Sequence, residues 1–186
     1  MRAVIVYESM FGNTKEVAEV IAEGLAGCAE VSVVPVTSAD AHVLDGADLV
    51  VVGGPTHTHG MSKPSTRRMA GKQARKPGRE VELVPGTDSG PGVREWLASL
   101  GQLEVAGAAF DTRFQGLPAF TGRASKSIRR LLAHHGARIA ASPESFLVKG
   151  LTGAVVEGER ERARAWGERL TRSDGLRGVV EGRQAS

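Results

Sequence analysis

This sequence predicts an α/β fold, a three-layer sandwich with helices on both faces of a doubly wound five-stranded parallel sheet. Three observations carry that expectation. Strand-like and helix-like patterns alternate along most of the 186 residues. The clearest strand-like run, Leu49-Val50-Val51-Val52, is continuously apolar, as a strand buried on both faces is. Aromatic residues are only 4% of the chain against 41% hydrophobic, so the core is composed mainly of Val, Leu, Ile and Ala. A β-α-β order closes into a parallel sheet through right-handed crossovers, and such a sheet needs helices on both faces.

Taken in order, residues 1–7 read as a buried strand and Lys15 onward as a helix, with Val17, Val20, Ile21, Gly24 and Leu25 on one face. Residues 31–34 are a second strand, ended near Pro35, and residues 38–44 a short helix capped by Ser38. Residues 48–54 are the third strand and 91–100 a helix opened by Pro and Gly. A fourth strand spans 105–110. A helix spans 122–135, striped by Ile128, Leu131 and Leu132 and ended by Gly136. Residues 138–148 hold a fifth strand in two pieces around Pro143, and 157–171 a last helix carrying Ala163, Trp166 and Leu170. The domain spans residues 1–172, with a basic, Gly- and Pro-rich insert at about 61–90 that reads as a mobile, solvated flap. The tail at 173–186 is expected to fray.

Composition excludes several classes. No apolar run reaches the length of about 18 residues that a membrane helix needs, and no charged-then-apolar leader precedes the first strand. Cys28 is the single cysteine, which forbids an internal disulfide and suits a reducing cytoplasm. Formal net charge is +3, too mild to imply nucleic acid. Positive charge is nonetheless concentrated at Lys63, Arg67, Arg68, Lys72, Arg75, Lys76 and Arg79, with no aromatic residues between them.

In an open parallel sheet the ligand sits beyond the carboxyl ends of the strands. Three segments meet at that edge: residues 8–14, 55–60 and 111–122, all rich in Gly, Ser, Thr, His or Asn. In the first, Ser9-Met10-Phe11-Gly12-Asn13-Thr14 is a short polar turn opening a helix, where unpaired amides and the helix dipole favour a phosphate. The plainer alternative is a turn that needs Gly12 for geometry and Asn13 or Thr14 as a cap. His57 and His59 could form a metal pair, but no third ligand is nearby. A receiver-type signalling domain is excluded because Gly53-Gly54 stand where an Asp is needed. Gly12 stands alone where a dinucleotide fingerprint needs three glycines, and the Gly-Lys-Ser/Thr of a triphosphatase is absent.

These three segments resemble those of flavodoxins. Ser9 to Thr14 is similar to the flavodoxin phosphate loop, Gly53-Gly54-Pro55-Thr56 to the third strand's end and second flavin loop, and Phe110-Asp111-Thr112-Arg113-Phe114 with Thr121-Gly122 to the third. The resemblance implies the strand order 2-1-3-4-5 and a bound flavin mononucleotide, FMN. It places Ser9, Met10, Phe11, Gly12, Asn13 and Thr14 around the phosphate. Pro55, Thr56, His57, Thr58, His59 and Gly60 lie along one side of the flavin ring, and Asp111, Thr112, Arg113 and Phe114 along the other. Phe11 stands where the family prefers a hydroxyl. With no Tyr or Trp in either ring loop, the stacking partner is drawn from His57, His59, Phe114 and Phe120.

No residue has the setting of a catalytic nucleophile, and no acid–base pair is evident. What the resemblance implies is electron transfer through the flavin, either as a carrier between redox donor and acceptor proteins or as a reductase taking hydride from NAD(P)H to a quinone-like acceptor, with a homodimer left open. The competing class is a flavodoxin-like scaffold that has lost FMN and binds a partner protein. His57, His59, Arg113 and Arg123 against Asp111 alone predict a flavin potential less negative than in acidic flavodoxins. The insert's specific alternatives are closing over the flavin, or meeting an acidic partner or a phosphorylated pyridine nucleotide.

Overall fold

The computed structural model describes residues 1–40, 42–57, 60–76, 82–115, 122–150 and 154–184. The strands are β1 (Arg2–Tyr7), β2 (Glu30–Pro35), β3 (Leu49–His57), β4 (Gly60–Met61), β5 (Ala106–Phe114), β6 (Arg138–Ile139) and β7 (Glu144–Val148). The helices are α1 (Asn13–Leu25), α2 (Pro64–Ala74), α3 (Val93–Ser99), α4 (Ala124–His134), α5 (Glu159–Leu170) and α6 (Asp174–Gln184). The sheet runs β2-β1-β3-β5-β6, with β7 pairing β5 further along and β4 antiparallel at the end of β3. The two pieces β6 and β7 together take the fifth strand's place, so the order is the expected one.

Register fixes where the loops emerge. Tyr7 lies opposite Gly53, Gly53 opposite Phe110, and Pro55 opposite Thr112, so β1, β3 and β5 end at one edge. Along each strand the side chains alternate between faces. Ala3, Ile5, Leu49, Val51, Ala108 and Phe110 pack with Val17, Ile21, Leu25, Phe146, Trp166 and Leu170. Val4, Val6, Val50, Val52 and Ala109 pack on the other face with Val93, Trp96, Leu97, Ile128 and Leu132. Thus α1 and α5 cover one face, and α3 and α4 the other.

On the first face α1 and α5 touch backbone to backbone. A Cβ on Gly24 would stand 2.2 Å from the Arg164 carbonyl oxygen, and one on Gly167 would stand 2.5 Å from that of Ile21. Two ion pairs flank this crossing, Arg160 with Glu16 at 2.6 Å and Arg164 with Glu23.

The structure corrects four local expectations. Residues 38–44 form no α-helix: a single 3-10 turn covers Val36–Ser38, and turns follow from residue 42. The tail expected to fray holds α6, whose Leu176 and Val179 are buried in the first core. The insert is not simply a solvated flap, because its first half forms β4 and α2 and buries Met61, Ser62, Arg67 and Ala74. Strands β3 and β5 end three and four residues later than expected, because their ends continue to pair as Gly54 with Asp111 and Pro55 with Thr112. No helix of the described residues is long and apolar enough to cross a membrane.

Candidate functional site

From the end of β1 the chain turns through Ser9 and Met10, both buried, into Phe11, Gly12 and Asn13. Gly12 has φ +93°, a backbone conformation costly for any residue with a Cβ. Its N–H donates to Ser9 Oγ at 3.1 Å, which ties the turn to itself. Helix α1 then starts with no side-chain cap. Among the described residues, neither Asn13 nor Thr14 serves as that cap. The Thr14 side chain is buried and turned across the sheet edge, its Oγ1 2.7 Å from Thr112 Oγ1.

The second and third segments are strand rather than loop over Pro55, Thr56 and His57 and over Asp111, Thr112, Arg113 and Phe114. Thr56 Oγ1 accepts the Ala124 N–H at 3.0 Å. His57 pairs with Gly60 across the short β3–β4 turn, and its Nδ1 lies 3.3 Å from Thr66 Oγ1 on α2. That hydroxyl accepts from the Lys63 N–H at 2.9 Å and donates to the Lys63 carbonyl at 3.0 Å. Its hydrogen being spent there, His57 Nδ1–H is the donor of the remaining contact and Nε2 keeps its lone pair. Burial, reinforced by the positive charge of Arg67, holds the His57 pKa below the ordinary imidazole range. Thr58, His59, Phe120 and Thr121 lie outside the described residues.

Ser9, Met10, Phe11, Asn13 and Thr14 from the first segment, Pro55, Thr56 and His57 from the second, and Thr112, Arg113 and Phe114 from the third line one narrow cleft of about 70 Å³. Val148 and Gly150 complete its wall. Sequence reasoning missed these two, although they follow β7 at the same edge and the strand order alone could have pointed there. Gly12, Gly60 and Asp111 do not line the cleft: Gly12 contributes backbone conformation, and Gly60 sits in β4.

Asp111 is a correction with a clear cause. It neighbours Thr112 on a strand, so the two side chains point to opposite faces. Thr112 reaches α1, whereas Asp111 is fully buried and its Oδ2 accepts the Ser125 N–H at 2.7 Å in the first turn of α4. Burial raises its pKa, partly opposed by hydrogen bonds from Ser125 and Ser145 and by the positive charge of Arg123. Glu8 behaves alike. It too is buried, and its Oε2 accepts the Val93 N–H at 2.9 Å, at the start of α3. Burial raises its pKa, against hydrogen bonds from Ser62 and Val93 and the charge of Arg67. Arg67 itself is buried, paired with Glu95 at 3.0 Å and donating to Ser62 Oγ and the Gly90 carbonyl. Both carboxylates nearest the cleft are therefore turned away from it, and no acid is among the residues that line it.

The lining suits an anion with an aromatic attachment. It combines the uncapped start of α1 and four hydroxyls with an imidazole, a guanidinium and two phenyl rings. Among the described residues no cluster of three His, Cys, Asp or Glu could hold a metal ion.

Comparison with known proteins points the same way. A flavodoxin-domain family model matches residues 4–67, the stretch from β1 into α2. No curated protein matches the chain. Among solved structures, oxidised flavodoxin 1 from Bacillus cereus superposes with a TM-score of 0.64 at 18% identity, covering 92% of this chain and 98% of that one. A flavodoxin from the domain Archaea gives 0.63 at 22% identity, covering 92% and 97%. The Streptococcus pneumoniae TIGR4 flavodoxin gives 0.62 at 22%, covering 92% and 99%.

Proposed function

We propose that this chain, flavodoxin-like in its fold and in the family match over its first third, binds FMN in the cleft and transfers electrons through it. One observation carries the reading. At the ligand edge, α3 and α4 have first-turn N–H groups accepted by Glu8, Thr56 and Asp111, whereas among the described residues no side chain accepts the first-turn N–H groups of α1, which opens on the cleft. That is where a phosphate dianion is best held.

When bound, FMN supplies the one- and two-electron chemistry. The chain's own residues bind, orient and tune. The α1 amides and the hydroxyls of Ser9, Thr14 and Thr56 hold the phosphate end, with Gly12 shaping the turn. His57, Arg113 and Phe114 flank the ring end, His57 offering a lone pair at Nε2. With Glu8 and Asp111 turned away, the lining carries positive and neutral groups only. Negative charge on a reduced ring is then stabilised, which supports a potential less negative than in acidic flavodoxins. Donor and acceptor are redox proteins, or NAD(P)H with a quinone-like acceptor; a homodimer is compatible with either.

Titration of the purified chain with FMN tests this. The expected result is quenching of flavin fluorescence at one equivalent and a yellow protein. Stopped-flow mixing with NADH and NADPH then separates carrier from reductase. A very low second-electron potential in a redox titration refutes the tuning. The scaffold reading is favoured by the narrowness of the cleft, which Phe11 helps to wall. A colourless protein that leaves FMN fluorescence unquenched refutes the FMN reading and shifts the assignment to the scaffold.

A further inference from the structure

Charge in this chain is strongly segregated. From Leu49 through Arg79 there is no Asp or Glu and there are seven Lys or Arg. The whole chain has 24 Lys and Arg against 21 Asp and Glu, so the remainder carries 17 cations against 21 acids. A second acid-free stretch, residues 112–143, carries six more cations, so the positive charge falls in two elements, and the structure shows where most of the first goes.

Two of its cations are used internally. Arg67 is buried against Glu95, and Arg75 pairs with Asp88 at 2.7 Å. Lys63, Arg68, Lys72 and Lys76 are exposed, and among the described residues none of them forms an ion pair. Arg68 and Lys72, four residues apart, share one face of α2, and Lys76 follows just beyond its C-terminal end. Beside that face, one residue on from Arg68, Met69 is 53% exposed, an unbranched, polarizable side chain suited to an adaptable contact. The face begins at the cleft rim, because Thr66 in the first turn of α2 holds His57, which lines the cleft.

An exposed apolar side chain beside a row of like charges suits a protein contact that is steered by electrostatics. A nucleic-acid surface would instead carry aromatic side chains among its cations, and this face has none. We propose that Lys63, Arg68, Met69, Lys72 and Lys76 form the docking surface for an acidic electron-transfer protein, whose carboxylates meet the four cations while an apolar residue covers Met69. The transfer is a single electron passing between the cofactor and the partner's one-electron centre, with no bond made or broken. The functional part of this inference rests on the FMN reading; the binding part does not.

The test therefore has two arms. In the first, the full chain without FMN is titrated at low salt with two decapeptides, one all glutamate and one with two central leucines among glutamates, and followed by ¹H–¹⁵N NMR. Shifts are expected over residues 63–76 and not around Lys126, Arg129 and Arg130 on α4. Added salt is expected to abolish them, and the double reversal R68E/K72E, with an unchanged melting temperature, to weaken binding at least tenfold. The leucine peptide is expected to bind several-fold tighter, a difference that Met69→Ser removes. Shifts no larger on α2 than on α4, or an affinity untouched by the charge reversal, would overturn the proposal. So would an oligothymidylate of equal charge binding the face more tightly than either peptide. In the second arm, reduced FMN-loaded protein is reoxidised by anionic hexacyanoferrate(III) or cationic hexaammineruthenium(III). The double reversal is expected to slow the first several-fold and speed the second; equal rates would sink the steering role. A chain that takes no FMN removes the electron-transfer reading and leaves the peptide arm to decide the surface.

Discussion

Helices α1, α3 and α4 start beside one another at the ligand edge of the sheet, and they start differently. At α3 the Gly92 N–H is accepted by Glu95 at 2.8 Å and the Val93 N–H by Glu8. At α4 the Ala124 N–H is accepted by Thr56 and the Ser125 N–H by Asp111. Each is sealed in part by a group from a neighbouring strand end, and the acids among those groups, Glu8 and Asp111, are buried at a cost visible in their raised pKa values. Helix α1 starts from Gly12, whose N–H is accepted by a hydroxyl, Ser9 Oγ, and by no carboxylate. The chain has acids next to this turn and spends them elsewhere. The acid in the first turn of α1, Glu16, is paired with Arg160 at 2.6 Å, which leaves the α1 amides able to take an external anion.

The sharpest way to break this contrast is to seal α1 as the others are sealed. Ser9→Asp places a carboxylate beside the open amides and is expected to weaken FMN binding by at least ~100-fold in a fluorescence titration. Its fold, checked by circular dichroism, is retained. Next comes the hydroxyl pair at the cleft's inner wall. Thr14→Val leaves Thr112 Oγ1 buried without its partner, which costs about 1–2 kcal/mol in urea unfolding and about three- to tenfold in FMN affinity.

The opposite manipulation is to neutralise a seal. Asp111→Asn keeps an acceptor for the Ser125 N–H and removes a buried charge. Because burial raises the pKa of Asp111 in the folded state, its contribution is most favourable below the unfolded carboxylate value of about 3.9 and is lost as pH rises through the folded value. The variant's stability advantage is therefore expected to grow as pH rises above ~4, with FMN affinity unchanged; a loss of affinity would put Asp111 back in the cleft. The smallest effect is at His57. Its ¹⁵N shifts are expected to report a neutral, Nδ1-protonated ring that does not titrate until the pH falls below the usual imidazole range, and Thr66→Val is expected to mix the tautomers.

Much of this was legible in the chain. Runs such as Val50-Val51-Val52 announce a doubly covered sheet, and Gly12 between a strand and a helix announces the open turn. The less legible parts depended on direction rather than identity. Asp111 and Thr112 are equally polar and adjacent, and only the strand continuing past Phe110 decides that one faces the cleft and the other α4. Val148 and Gly150 carry no chemical signal; they join the site because β7 ends at the same edge. The Gly-rich tail looked unable to hold a helix, yet Leu176 and Val179 bury enough surface against the first core to dock one.

The glycine contact between α1 and α5 has a bearing on the ligand end. Gly24 lies eleven residues along α1 from Asn13, roughly 17 Å at the helical rise. The crossing acts as a fulcrum, and the turn at Gly12 sits at the far tip of the lever. A single methyl group at Gly24 or Gly167 cannot be absorbed where carbonyl oxygens already fill the space, so the shaft must tilt. The anion cradle is thus aimed by a joint that lies nowhere near it.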